Sequence, residues 1–498
     1  MALIKTHPLV YEINTRCWLR ELSARSGQTA TLGSVPDTEF ERWRDLGFTH
    51  VWLMGVWPTG TRSRAAALAG PNSLRALAEI LPDWQEKDIA GSPFAIADYT
   101  VANELGGELE LEKFRENLHG HGLRLLLDFV PNHLGLDHSW IVERPELFVQ
   151  GPAQAPGTFL SQTKSGARWL AHGKDPNFHP WIDTAQLDYS RTETRAAMME
   201  LLQSIAIRCD GVRCDMAMLL LNDVFAKSWA DFPRPEAQSV TEREFWADAI
   251  QAVKKSQPDF LFLGEVYWDL EARLQSLGFD YTYDKRLYDY LVQRNPAEAQ
   301  RHLLSLTPEF VAASSHFLEN HDEPRIASIL SMREHRAAAL LTLGLPGLRL
   351  LHDGQLAGAR IRTPVQLARR PTELVDREIE AFYHQLLAAI KSSAVGSGKG
   401  EMLKPLPASP DNPTAQNFVL AQWQSQPDGF DLVVVNLAPH RSQCLVPLGA
   451  ERLASRNWRL KDLLGSEENR PSAEDLQNQG LYLDLPEHGA QLFHLAPV

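Results

Sequence analysis

Short apolar runs and longer amphipathic segments alternate along the first 395 residues. PLVYEINTRCW (8–18), FTHVWLMGVWP (48–58), GLRLLLDFV (122–130), CDGVRCDM (209–216), FLFLGEVY (260–267), GFDYTYD (278–284), SSHFLENHD (314–322) and GLRLLHDG (347–354) read as strands. Helical spacing fills the gaps. TEFERWRDLG (38–47), ELEKFRENLHGHG (110–122), SRTETRAAMMELLQSIAIR (190–208), EFWADAIQAVKKS (244–256) and REHRAAALLTLG (333–344) precede strands two, three, four, five and eight. Eight strands alternating with helices predict an α/β fold, a (β/α)8 TIM barrel over residues 1–395.

Two connections are long. Residues 134–180, rich in Pro, Gly and His, follow strand three and read as an inserted loop subdomain. Residues 217–243, containing DFPRPEAQS, form a second loop, and long loops in a compact barrel are usually functional. Past KSSAVGSGKG (391–400) the pattern changes. FVLAQW, FDLVVVNLAP, QCLVPL, LYLDLP and AQLFHLAPV alternate like antiparallel strands, which predicts a C-terminal all-β sandwich over 400–498.

The polar residues inside the apolar runs are informative. In DGVRCDMA (210–217), period two puts Arg213 and Asp215 on one face, away from Val212, Cys214 and Met216. Alone, the two charges could be a structural ion pair, but three other strands also end in polar residues. Strand three brings Asp128, Asn132 and His133, strand five Glu265, and strand seven Asn320, His321 and Asp322. Barrel chemistry sits at strand C-terminal ends, so these groups are expected at one mouth.

Composition narrows the classes. With 49 Lys and Arg against 63 Asp and Glu, the formal net charge is −14, which disfavours nucleic acid and anionic membranes as partners and suits a neutral substrate. No apolar run approaches the ~20 residues of a membrane span. The N-terminus shows no secretory h-region, and Cys17, Cys209, Cys214 and Cys444 have neither metal nor redox spacing. A cytoplasmic protein with reduced core thiols is the expectation; the oligomeric state is not addressed by the sequence.

DFVPNH (128–133), GVRCDMA (211–217), GEVYW (264–268) and FLENHD (317–322) resemble, in order and strand position, the motifs of the α-amylase family of retaining glycoside hydrolases and transglycosylases. The resemblance implies Asp215 as nucleophile, Glu265 as general acid/base and Asp322 as the third acid, with Arg213 keeping the nucleophile ionised. It implies His133 and His321 as ligands of sugar hydroxyls, Phe94 as a stacking ring where the family usually has tyrosine, and Asp98 as a matching substrate-side aspartate. Asp128 and Asn132 would support the strand-three loop. No cofactor is implied. Asn132 matches a position that ligates calcium in many members, with Asp183 and Asp188 as further candidates, though structural support without metal is the preferred reading. Met218 and Leu219 replace the family's lysine and histidine, which implies a drier acceptor side. Gln355, after strand eight, is expected to line the mouth, and Trp169, Trp181, His172 and Trp268 are candidate substrate contacts.

The function these features predict is hydrolysis of α-1,4 glucosidic bonds in malto-oligosaccharides or related α-glucans. The alternative is transglycosylation with the same carboxylates. A non-catalytic carbohydrate-binding protein on the same barrel would have lost one of the three acids, and all three are present.

Overall fold

The computed structural model describes residues 7–498 except 70, 233–242, 427–428, 449–456, 471–473, 475 and 477–479. Eight parallel strands close into a barrel: β1 (Leu9–Asn14), β2 (His50–Met54), β3 (Arg124–Phe129), β4 (Gly211–Cys214), β5 (Leu261–Gly264), β6 (Tyr281–Tyr283), β7 (Ser314–Phe317) and β8 (Leu348–His352). Neighbours pair in chain order, and β8 closes onto β1. Each lies within an apolar run read from the sequence. The DFPRPEAQS loop falls, from 233 onward, outside the described residues.

Strand periodicity divides the barrel into two packing regions. Val10, Trp52, Leu126, Leu261, Leu263, Phe317, Leu348 and Leu350 form a cluster of their own inside the barrel. The alternate residues Tyr11, Ile13, Leu125, Leu127, Val212, Phe262 and Leu351 pack outward against the helices. Burial on both faces explains why these strands are apolar almost throughout. Continuing the inward rows toward the C-terminal ends leads from Val10 to Glu12, from Leu126 to Asp128 and from Leu263 to Glu265. The interior is thus apolar below and polar at the top.

Between β3 and β4, strands His133–Gly135 and Thr184–Gln186 pair antiparallel and bracket a hairpin of Thr158–Thr163 with Gly166–Ala171. After helix Arg377–Ser392 the chain forms a six-stranded and a three-stranded sheet around a second apolar core that includes Phe418, Leu432, Leu460, Leu483 and Leu495. This all-β region docks on the barrel: Trp423 Nε1 donates to the Gly344 carbonyl at 2.7 Å. Strand Trp458–Asp462, absent from the sequence reading, alternates buried and exposed residues. Among the described residues no helix is long and apolar enough to cross a membrane. All four cysteines are buried and free.

Candidate active site

The site is built on Arg213, which the inward face of β4 carries fully buried into the barrel. The rings of Trp52, Phe94 and Tyr283 surround its guanidinium, with centroids 5.5, 5.4 and 5.8 Å away. A charge so enclosed is costly unless paired. Nη1 donates to Asp215 Oδ1 at 2.6 Å, and Nη2 lies 2.8 Å from Glu265 Oε2. One cation therefore holds two carboxyls, whereas the sequence reading gave it only one.

The backbone reinforces this geometry. Met216 takes a left-handed conformation (φ 43°), uncommon for a residue with a side chain, and its N–H donates to Glu265 Oε2 at 2.7 Å. The Tyr267 hydroxyl donates to the other oxygen, Oε1, at 2.8 Å. Asp128 is a structural anchor, accepting from Trp52 Nε1 at 2.9 Å and from the Gly55 N–H at 2.6 Å. Gly55 has φ 79°, and a Cβ there would meet Pro93 at 2.9 Å, so the turn that aims this N–H requires glycine.

Asp322 reaches the mouth from the loop after β7, its side chain 43% exposed. Asn320 Oδ1 accepts the N–H groups of Asp322 and Glu323, fixing the turn. His321 lies between two acids. Its Nδ1 is 2.5 Å from Glu12 Oε1, and its Nε2 is 3.1 Å from Asp322 Oδ2. Burial opposes charge on this imidazole, but Asp322 and Glu12 outweigh it and raise its pKa to about 10, so it is an imidazolium at neutral pH. Burial likewise opposes ionisation of Asp322, while the His321 and Arg213 charges hold its carboxyl well below the usual range.

The carboxyls on Arg213 behave differently. Burial, with the Asp215 and Asp322 charges behind it, overrides the pull of Arg213 and raises Glu265 from 4.5 to about 7. Burial also raises Asp215, against the attraction and the hydrogen bond of Arg213. The site thus joins a carboxyl able to hold a proton near neutrality to one in direct hydrogen bond with a cation.

Phe94 packs on His321, with ring centroids 5.2 Å apart, and its carbonyl bonds the His133 side chain. Burial lowers His133 to about 4, so this histidine is neutral, unlike His321. Trp181, from the inserted segment, stands 5.0 Å from the His133 ring. Asp98 is exposed and accepts from Thr100 Oγ1. Other expectations need correction. Met218 and Leu219 are 0% and 3% exposed in the outer core, so they line no open acceptor surface. Gln355 turns away from the mouth, donating to Tyr383 Oη at 2.7 Å. His172 bonds the Thr184 carbonyl within the inserted segment.

The calcium that many family members hold at the position of Asn132 does not fit the residues present. Asn132 exchanges hydrogen bonds with the Gln186 amide, Asp183 accepts from Ser63, and Asp188 accepts from Ser190 and pairs with Arg191. Among the described residues no three His, Cys, Asp or Glu side chains gather as a metal-holding group.

A family profile described as "Alpha amylase, catalytic domain" matches residues 42–363, which contain β2 through β8 and all three acids. The chain belongs to the alpha-amylase family. Alpha-amylase MalA of Haloarcula japonica is 24% identical over 378 residues, covering 74% of this chain and 50% of that protein. An alpha-1,4-glucan:maltose-1-phosphate maltosyltransferase of Burkholderia pseudomallei is 26% identical over 268 residues, 51% of this chain and 20% of that protein. The chain thus spans half or less of the length of these two relatives. In fold it is similar to a maltogenic alpha-amylase, AmyB, of Thermotoga neapolitana, with TM-score 0.68, 18% identity and 99% coverage of both chains.

Glu12, Tyr267 and Tyr283 were absent from the sequence reading of the site. Glu12 had a usable signal: it is the charged residue on the inward row of β1, two positions after Val10. Tyr267 had one too: it stands two positions after Glu265 in the same predicted strand, so period two puts both on one face.

Proposed function

We propose that this protein hydrolyses α-1,4 glucosidic bonds of malto-oligosaccharides or related α-glucans with retention of configuration. The observation that carries the proposal is the pair of carboxyls, Asp215 and Glu265, on the single guanidinium of Arg213. Retaining chemistry needs two closely spaced carboxyls in opposite protonation states. Arg213 draws Asp215 toward the anion, the form that attacks the anomeric carbon. Glu265, near 7, holds the proton that the departing glycosidic oxygen takes. The bond from C1 to the leaving oxygen breaks as the ester to Asp215 forms, and the proton of Glu265 leaves with the first product. Glu265, now anionic, removes a proton from water as the water oxygen attacks C1 and displaces Asp215. Asp322 and the imidazolium of His321 bind sugar hydroxyls and balance charge at the oxocarbenium-like stage, while neutral His133 and the Phe94 face complete the pocket. Asp98, exposed, is assigned to the substrate side within the same proposal.

The division into a barrel at 1–395, an insertion at 134–180 and a sandwich at 400–498 belongs to the same proposal, as does a cytoplasmic location, with which four free buried cysteines agree.

Both a hydrolase and a transferase occur among the named relatives, so the test must separate the two outcomes. The purified chain is incubated with maltose, maltoheptaose, trehalose and sucrose, with and without an added sugar acceptor, and products are resolved by length. The proposal expects new reducing ends from maltoheptaose without acceptor dependence. Redistributed chain lengths with no net increase in reducing ends would replace it by transglycosylation.

A further inference from the structure

Neither the resemblance nor the reaction scheme gives a task to Tyr267, whose hydroxyl lies 2.8 Å from Glu265 Oε1. The two oxygens of Glu265 are not equivalent. Oε2 accepts the Met216 N–H and lies against Arg213 Nη2. Oε2 is the oxygen facing the cation, 2.8 Å from Arg213 Nη2, so the proton of the neutral acid belongs on Oε1, the oxygen that Tyr267 touches. The phenol is therefore the nearest neighbour of the proton to be transferred. Burial and the neighbouring Glu265 raise the phenol well above its ordinary pKa, so it stays a donor throughout the pH range of the reaction.

The backbone turns sharply just after it. Trp268 and Asp269 both have positive φ, 64° and 61°. Two successive side-chain-bearing residues in the left-handed region are costly and persist only where surrounding contacts impose them. Here Asp269 is tied to Arg286 by an ion pair. Tyr267 is half-buried while Trp268, next to it, is 41% exposed, so it is the phenol and not the indole that faces the site.

We propose that Tyr267 is a positioning residue for the acid/base, its O–H fixing Oε1 of Glu265 and strengthening its bond as negative charge develops there. The inference rests on the assignment of Glu265 above. A donor to the ionised form favours that form. Tyr267 thus works with Arg213 and the Met216 N–H, against burial and the charges of Asp215 and Asp322; Asp175 of the inserted segment and Tyr283 of β6 are the other titratable groups within electrostatic range. Its effect is to ease loss of the Glu265 proton in the first half-reaction, at some cost to the basicity of the anion in the second.

The test compares full-length wild type, Tyr267→Phe and Glu265→Gln by kcat/KM on maltoheptaose across the pH range. The alkaline limb, set by loss of the Glu265 proton, is expected to move up by about one pH unit in Tyr267→Phe, the size of one lost hydrogen bond to a charged group. An unmoved limb in Tyr267→Phe, with Glu265→Gln inactive, overturns the inference and leaves the function standing. Wild-type rates in Glu265→Gln overturn the role of Glu265 and the inference with it. Should Tyr267→Phe fail to fold, 3-fluorotyrosine at 267, a stronger donor, must move the limb the other way; an unmoved limb there overturns the inference equally.

Discussion

Replacing Glu265 with glutamine is expected to make the protein more stable in alkaline solution while removing its activity. Glu265 is 3% exposed, and its ionisation is displaced from 4.5 to about 7. At ~1.4 kcal/mol per pH unit, the native state carries about 3 kcal/mol of unfavourable ionisation once the group is charged in both states. Because the native value is the higher one, the penalty is nearly absent below pH 4.5, grows from there to pH 7 and is complete above it. Glutamine keeps the shape and an acceptor for the Met216 N–H but cannot ionise. The unfolding entropy of a chain of 498 residues is ~1 kcal/mol per degree, so the gain corresponds to about 3 °C in Tm. Thermal unfolding of both proteins at pH 4.5 and pH 8.5 checks this. Midpoints should nearly coincide at the lower pH and separate by about 3 °C at the higher, with the variant above. A variant no more stable than wild type at pH 8.5, or offset equally at both, would refute the assignment of an electrostatic penalty to this carboxyl.

The other residues make separate predictions. Asp215→Asn should lower kcat/KM on maltoheptaose by at least about a thousandfold, with an unchanged fold by circular dichroism, since the side chain is lost as a nucleophile but kept as a partner for Arg213. Glu12→Gln removes one of the two carboxylates on His321; the stabilisation of His321, complete below pH 6.5 and lost as pH rises through about 10, should shrink by about 3 kcal/mol at pH 6 and flatten the Tm profile between pH 7 and 10. Dialysis against a chelator should leave Tm and activity unchanged within error, because the donors near Asn132 are already engaged by Gln186, Ser63, Ser190 and Arg191.

The barrel was legible because burial on both faces leaves a strong mark: each of the eight strands lies inside an apolar run, and polar residues at the ends of those runs stand out. Arg213, Asp215, Glu265, His321 and Asp322 could be grouped for that reason, and the structure brings them together. Motif position was a poorer guide where the direction of a side chain is decided by tertiary packing. Met218 and Leu219 sit beside the nucleophile in sequence, yet the 3-10 turn Ala217–Leu220 buries both in the outer core. Glu12 pairs with a residue 309 positions along the chain, a relation that no local pattern carries. The left-handed pair Trp268 and Asp269 lacks the glycine that would advertise such a backbone, so the turn after Tyr267 left no trace in composition.

The most direct measurement is capture of the glycosyl-enzyme. A fluorinated glucosyl fluoride, which forms the covalent intermediate faster than it is released, is incubated with the protein, and the labelled peptide is sequenced by mass spectrometry. The account predicts one sugar per chain, attached to the carboxyl of Asp215 within DGVRCDMA. A label on another carboxyl, or turnover of the same reagent with no label and inverted product, would contradict it.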